Sequence, residues 1–145
     1  MGSRYHLVEG ICLFYTETEL SYEDAKVNCE SKFNGYGRLF EPKSRGINKK
    51  AHDAGIENGH GNWYWIGVND QEQEGSWVYT NSGQPISIYP NWRLGYGSRG
   101  TGYNCVLYCD TTEVNRGKWC DRGCTYKHRH DYSYIYPSIC EPNDN

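Results

Sequence analysis

The pattern of apolar and polar positions predicts helices in the first part of the chain. Tyr22, Ala25, Cys29 and Phe33 recur at helical spacing, which places them on one face of a helix. Ser21 precedes them and is of a type that caps helix N-termini, with an acidic residue three positions later. The Asn-Gly and Gly signals at 34–37 are expected to end this first helix.

A second helix is predicted to begin near Ser44. Ile47, Ala51 and Ala54 repeat at helical spacing, and Gly55 fits a C-terminal stop. The sequence therefore predicts two helices before residue 60.

The rest of the chain is typical of strands separated by turns. Apolar and aromatic runs predict strands within 63–68 (WYWIGV), 76–80 (SWVYT), 105–109 (CVLYC) and 133–141 (SYIYPSICE), and a short strand pair within 5–16. The glycine-rich stretch 83–104 is expected to be long and irregular, and such loops are usually functional or disordered. Helices that precede strands indicate an α+β fold.

Length and charge limit the classes of protein to consider. The 145 residues suit one domain, expected over residues 4–145, with 1–3 (MGS) as an expression remnant. A net charge of −3 argues against a general nucleic-acid binder. No apolar run approaches the roughly 18 residues of a membrane span. Seven cysteines favour an oxidising compartment, and hence secretion to the extracellular space.

Four of the cysteines lie close together near the C-terminus. Pairing them as a nest gives Cys105–Cys124 and Cys109–Cys120, and the two pairs have the same sum of residue numbers. Opposed residues of an antiparallel ladder share one such sum, so both pairs fit a single register. Other pairings remain open, because sequence alone does not fix connectivity.

The remaining three cysteines are expected to form one disulfide and leave one thiol. Cys29 on the first helix and Cys140 near the end are natural partners, and closing a loop of that size contributes roughly 4–5 kcal/mol. Cys12 is then the odd one. It is either an unpaired thiol, an interchain link in a homodimer, or the partner of a cysteine removed with the N-terminus.

With these residues in place, the chain resembles the C-type lectin-like domain family. The motifs that carry the likeness run in order along nearly the whole chain: 65–68 (WIGV), 75–77 (GSW), 91–95 (NWRLG), 119–124 (WCDRGC) and 139–141 (ICE). The family's two standard disulfides fall on Cys29–Cys140 and Cys105–Cys124. The resemblance implies a secreted domain that binds glycans or proteins.

The residues that hold calcium in this family are mostly replaced. The family's Glu-Pro-Asn or Gln-Pro-Asp triplet is 96–98 (YGS), a glutamate position is Tyr103, and the asparagine of the WND motif is Cys120. Only Asp121 remains, whereas calcium prefers six to eight oxygens. We therefore expect no calcium at the usual site and no other cofactor. A calcium near the acidic residues 70, 72 and 74 is an alternative, with a solvated loop as the simpler interpretation.

Sugar binding at the same surface would then depend on hydrogen bonds and stacking. Tyr96, Arg99, Tyr103 and Asp121 map near the family's primary site. Tyrosine can stack on a sugar or pack an acetamido methyl group, and Arg and Asp supply charged hydrogen bonds. The lost ligands resemble the calcium-independent, bivalve-type members, which bind N-acetylated hexosamines.

A second candidate segment lies between Cys124 and Cys140, where fifteen residues exceed the usual family spacing. It includes His128 and His130, which are predicted to donate hydrogen bonds to sugar oxygens. A zinc site on these two imidazoles lacks a third ligand. A plain exposed basic loop is the alternative.

The sequence thus predicts a secreted, calcium-independent lectin for glycans of the GlcNAc or GalNAc type, with a role in innate immune recognition. The alternative is a protein-binding or adhesion module of the same fold that binds no sugar. No nucleophile motif, metal triad or acid pair indicates an enzyme.

Overall fold

The computed structural model describes residues 3–109, 112–125 and 135–143. Within these ranges the helices are α1 (Tyr22–Glu30), α2 (Lys32–Gly35) and α3 (Arg45–Glu57), with a 3₁₀ turn at Glu113–Asn115. The strands are β1 (Tyr5–Val8), β2 (Ile11–Tyr15), β3 (Gly37–Leu39), β4 (Tyr64–Asn69), β5 (Val78–Tyr79), β6 (Cys105–Tyr108), β7 (Trp119–Arg122) and β8 (Ile139–Pro142).

The strands form two antiparallel sheets, which confirms the predicted α+β class. One sheet has the order β1-β2-β8-β3 and the other the order β5-β4-β6-β7. The first sheet brings the N-terminal hairpin beside the C-terminal strand, where Phe14 pairs with Cys140. Apolar residues of both sheets and of α3 meet in one core that includes Leu13, Ile47, Ile66 and Trp119.

The first helix begins as predicted but ends earlier. The Ser21 side chain accepts a hydrogen bond from the backbone N–H of Asp24. The helix ends at Glu30, and Phe33 has a φ of 54°, so it does not continue the helical face. The prediction that Phe33 belongs to this face was wrong, because the chain turns through the additional helical turn α2 before β3.

The second predicted helix is α3, and its predicted end was wrong. Ser44 caps it by accepting from the N–H of Ile47 at 3.2 Å. Gly55 lies inside the helix, where a Cβ atom would be 2.6 Å from the Tyr64 hydroxyl. The glycine is therefore required by the close approach of β4, and the helix continues to Glu57.

Three disulfides connect the pairs expected from the sequence. They are Cys29–Cys140, Cys105–Cys124 and Cys109–Cys120. The register used to derive two of them was wrong by two residues, since Cys105 pairs with Arg122 and Leu107 with Cys120. Because Cys109 and Cys124 lie just beyond the ends of β6 and β7, the chain can bend there and bring diagonal partners together.

The carboxylates of Glu41, which follows β3, and of Glu141 in β8 are both buried. Glu141 accepts hydrogen bonds from the Glu41 backbone N–H at 2.8 Å and from Arg38 Nε at 3.1 Å. Burial nevertheless raises the pKa of the Glu141 carboxyl from its usual 4.5 to about 7, although Arg38 and the Glu41 N–H oppose the rise. The folded protein therefore binds this proton more tightly than the unfolded chain does.

We expect Glu141 to make the free energy of unfolding fall as pH rises from about 5 to 7. A raised carboxyl pKa stabilises the folded state only while the group is protonated, and the contribution lost is about 3 kcal/mol. Glu141→Gln should flatten this part of the pH profile in urea unfolding. Glu30→Gln, at an exposed glutamate of α1, serves as the control. An unchanged slope in Glu141→Gln would contradict the prediction.

Candidate functional site

The irregular segment before β6 is fixed at both ends to the second sheet. The N–H of Arg93 donates to the carbonyl of Trp119 at 2.9 Å, and the N–H of Trp119 donates to the carbonyl of Asn91 at 2.8 Å. At the other end, the N–H of Asp70 in the β4–β5 loop donates to the carbonyl of Asn104 at 3.0 Å. Residues 93–104 therefore form a loop held above β7.

Gly97 allows this loop to lie against the core. Its φ is 96°, a conformation that L side chains rarely adopt, and an added Cβ would overlap the Trp92 indole ring. The N–H of Gly97 donates to Asp121 Oδ1 at 3.1 Å. The turn thus brings the loop backbone onto the carboxylate of β7.

Arg99 and Asp121, both predicted as site residues, form an ion pair beneath the loop. Arg99 Nε lies 3.2 Å from Asp121 Oδ1, and Arg99 Nη2 donates to the Asp121 backbone carbonyl. The Asp121 side chain is 1% exposed and that of Arg99 30%. The guanidinium therefore satisfies two oxygens of one buried acidic residue.

The two predicted tyrosines both contact the same guanidinium. The centre of the Arg99 guanidinium lies 4.7 Å from the Tyr96 ring centroid and 4.0 Å from that of Tyr103. Cations over aromatic faces at such distances are attracted by the ring quadrupole. All four predicted residues of the loop and β7 are thus in one cluster, in which Arg99 is central.

The cluster continues into residues that the sequence did not indicate. The Arg122 guanidinium lies 5.2 Å from the Tyr96 ring and 5.7 Å from the Trp63 ring, and Trp63 stacks on Tyr136. We call this succession the arginine–aromatic row; its members are Tyr103, Arg99, Tyr96, Arg122, Trp63 and Tyr136. Trp63 and Tyr136 were assigned to predicted strands, and no local signal shows that their rings reach the site.

The arrangement around Asp121 does not fit a calcium ion. Its Oδ1 and backbone carbonyl already bind Arg99, and a divalent cation there would be repelled by the guanidinium. Asp121 Oδ2 is buried and has no hydrogen-bond partner within the described residues, but a single free carboxylate oxygen is far from the six or more that calcium takes.

The acidic residues proposed as an alternative calcium site are partly brought together. Asp70 Oδ2 accepts from the Gly75 N–H at 2.7 Å, and the Asn104 amide, oriented with its nitrogen toward the acids, lies 3.0 Å from Asp70 Oδ1 and 3.1 Å from Glu74 Oε1. Burial, and then the neighbouring charge of Glu74, raise the pKa of the Asp70 carboxyl to about 6. Glu72 is exposed.

No group of three or more His, Cys, Asp or Glu side chains that could hold a metal ion occurs in the ranges 3–109, 112–125 and 135–143. His128 and His130, predicted as sugar and alternative zinc ligands, lie outside the described residues. No helix among the described residues is long and apolar enough to cross a membrane.

The protein-family model for the Lectin C-type domain matches residues 18–130. The chain belongs to the C-type lectin domain family. C-type lectin domain family 3 member A from Bos taurus is 29% identical over 137 residues, which cover 94% of this chain and 64% of that protein. The chain thus spans a little under two thirds of the length of this relative.

Solved structures of lectin domains share the fold over almost the entire chain. The mouse scavenger receptor C-type lectin carbohydrate-recognition domain superposes with a TM-score of 0.74 at 25% identity, covering 97% of this chain and 94% of the other. The structure of an SPL-1–GlcNAc complex has a TM-score of 0.75 at 24% identity, covering 99% and 95%. The fold of this C-type lectin domain is therefore that of known carbohydrate-recognition domains.

Proposed function

We propose that this domain is a secreted lectin that binds N-acetylated hexosamines of the GlcNAc or GalNAc type without calcium at Asp121. The observation that carries the proposal is the Arg99 guanidinium, which binds both the carboxylate and the backbone carbonyl of Asp121. A side chain of this protein thus supplies positive charge where a bound cation would otherwise be needed.

The guanidinium also organises the loop. It contacts two tyrosine rings, and Asp121 accepts from Gly97 in the same turn. A planar guanidinium is pre-organised for several hydrogen bonds at once. The site can therefore be fixed before sugar arrives, which reduces the entropy lost on binding.

The chemistry of the cluster suits an acetamido group. The half-buried Tyr96 and Tyr103 offer apolar faces for the acetamido methyl and hydroxyls for sugar oxygens. The partly exposed edge of Arg99 can donate to the acetamido carbonyl. Because the structurally similar SPL-1 was solved as a complex with GlcNAc, this sugar is a sensible first probe.

Two further parts of the proposal have separate support. Three disulfides suit an extracellular location.

Cys12 is the one free cysteine among the described residues and is partly exposed. We propose that it joins two copies of the chain, because a homodimer would raise avidity for clustered sugars. Innate immune recognition remains the expected setting.

Binding to GlcNAc should be the same in the presence of EDTA and of added calcium. The reason is that Arg99 already binds Oδ1 and the backbone carbonyl of Asp121. Isothermal titration with GlcNAc, and a glycan array run under both conditions, measure this. Glucose, which lacks the acetamido group, is the matched control ligand and should bind much more weakly.

Loss of GlcNAc binding in EDTA would remove the calcium-independent part of the proposal. A blank array together with saturable binding to a protein would favour the alternative of a protein-binding or adhesion module.

A further inference from the structure

A separate cavity lies beside the far end of the arginine–aromatic row. Its volume is about 600 Å3, and it lies between the N-terminal region, the loop that follows α3 and the segment that leads into β8. Ligand cavities for small molecules are commonly about 300–1,000 Å3. The cavity is therefore large enough for a sugar residue.

One wall of the cavity is aromatic and held in place. Trp63 stacks on Tyr136 with ring centroids 5.6 Å apart and an interplanar angle of 13°. Tyr136 exchanges two backbone hydrogen bonds with Leu20, each 3.0 Å, and its ring meets Trp65 edge-on at 5.3 Å. A fixed aromatic surface of this kind offers a stacking platform at little entropic cost.

The rest of the lining includes polar groups with unused hydrogen-bonding capacity. Glu17, Glu19 and Asn62 line the cavity and are exposed. Their side chains make no hydrogen bond or ion pair with another described residue. Arg4 also lines the cavity and is held by the carbonyls of Tyr15 and Thr16, at 2.6 and 3.1 Å.

These groups select one class of ligand. An aromatic face in one cavity with carboxylates and an amide suits a sugar, whose ring has an apolar face and whose hydroxyls donate to carboxylates. Among the described lining residues, two carboxylates and one guanidinium leave a net negative charge, because burial lowers the pKa of His60, the histidine of the lining, and so favours its neutral form. Sugars that carry sulfate or carboxylate groups are therefore disfavoured, and a neutral sugar is favoured.

We propose that this cavity is a second saccharide subsite, specific for neutral sugars and separate from the Arg99–Asp121 cluster. The proposal rests on the proposed lectin function and extends it to two sugars per chain. Trp63 and Tyr136 belong both to the cavity wall and to the arginine–aromatic row. The two subsites therefore lie on one continuous surface.

The test is a titration of the intact protein with N,N′-diacetylchitobiose. Calorimetry measures the number of ligand molecules bound per chain. NMR follows the change in chemical shift of the Trp63 indole N–H, which is assigned by its loss in Trp63→Phe. We expect two molecules of the disaccharide to bind to each wild-type chain. Glu17→Ala/Glu19→Ala/Asn62→Ala should weaken the second event by about tenfold or more, since several hydrogen bonds to charged groups are lost.

Arg99→Ala is the complementary variant and separates the two subsites. Under the proposal, it weakens the first binding event by about 100-fold and leaves the cavity event and the Trp63 shift. If Arg99→Ala abolishes all binding, or if the triple variant binds two sugars as the wild type does, the cavity is not a subsite, although the lectin function stands. A wild type that binds no sugar at all would overturn the proposed function itself.

The triple variant changes only exposed side chains that have no hydrogen-bond or ion-pair partner among the described residues, so it should fold as the wild type does. Equal thermal midpoints and near-ultraviolet circular dichroism spectra check this. Sialyllactose, which carries a carboxylate, serves as the charged comparison and should not shift the Trp63 signal.

Discussion

Replacing Arg99 with alanine should weaken GlcNAc binding at the Asp121 cluster by about 100-fold. The variant removes the guanidinium that contacts the rings of Tyr96 and Tyr103 and leaves the carboxylate of Asp121, which is 1% exposed, without its counter-charge. An uncompensated buried charge is costly. The loop would therefore lose both its central contact and its fixed geometry, and calorimetric titration measures the loss.

A conservative variant and a matched control sharpen this test. Arg99→Lys keeps the charge but cannot bind both oxygens of Asp121 with a planar fork, so its affinity should lie between wild type and Arg99→Ala. Arg45→Ala removes the same charge from an exposed residue of α3 and should leave affinity unchanged. Equal binding by Arg99→Ala and wild type would show that the cluster does not hold the sugar.

Removal of the Cys29–Cys140 disulfide is expected to lower the free energy of unfolding by roughly 4–5 kcal/mol. The bond joins residues 111 apart in sequence and ties α1 to β8, so its loss frees most of the unfolded chain. Typical domains have only about 5–15 kcal/mol of stability. We therefore expect Cys29→Ala/Cys140→Ala to be largely unfolded at 37 °C, as measured by urea unfolding and circular dichroism.

The other cysteines provide internal comparisons. Cys109 and Cys120 are only 11 residues apart, so removal of their bond should cost less, roughly 3 kcal/mol. Cys12→Ser breaks no intrachain bond and should unfold like the wild type. Its migration on non-reducing gels, compared with wild type, shows whether Cys12 links two chains. Equal losses for the long and short disulfides would contradict the loop-closure argument.

Local features of the fold could be predicted because their causes are local. A serine before a periodic apolar run was enough to place the starts of α1 and α3, since its hydroxyl caps the nearest free N–H groups. Glycine was less informative. Gly55 was predicted to end a helix, but it lies within α3, where a side chain would collide with Tyr64 of β4. That contact forms only in the folded protein, so the sequence around Gly55 does not reveal it.

The cysteine pairs show a correct prediction with a wrong intermediate step. An undistorted ladder was assumed, and the observed register is shifted by two residues. The pairs survive because a shift by two keeps every side chain on its original face. Cys109 and Cys124 also lie outside the ladder, where the backbone is free to bend toward its partner.

The candidate site was only partly predictable, because several of its contacts join residues that are distant in sequence. The resemblance to a lectin family placed Tyr96, Arg99, Tyr103 and Asp121 near one another, but it did not pair Arg99 with Asp121. Trp63 and Tyr136 were hidden within strand-like runs. Their rings meet because Trp65 pairs with Ser138 at an isolated bridge, which brings together two segments that are distant in sequence.

The sequence by itself determined the class of fold, the capped helices, the family motifs and the loss of calcium ligands, since each depends on residue type and spacing over short distances. Only the tertiary structure decided that Arg99 binds Asp121 and where the cavity beside Trp63 forms. Both depend on loops that meet across the molecule, where the positions of Arg99 and Trp63 are set by packing against distant segments and not by their neighbours in the chain.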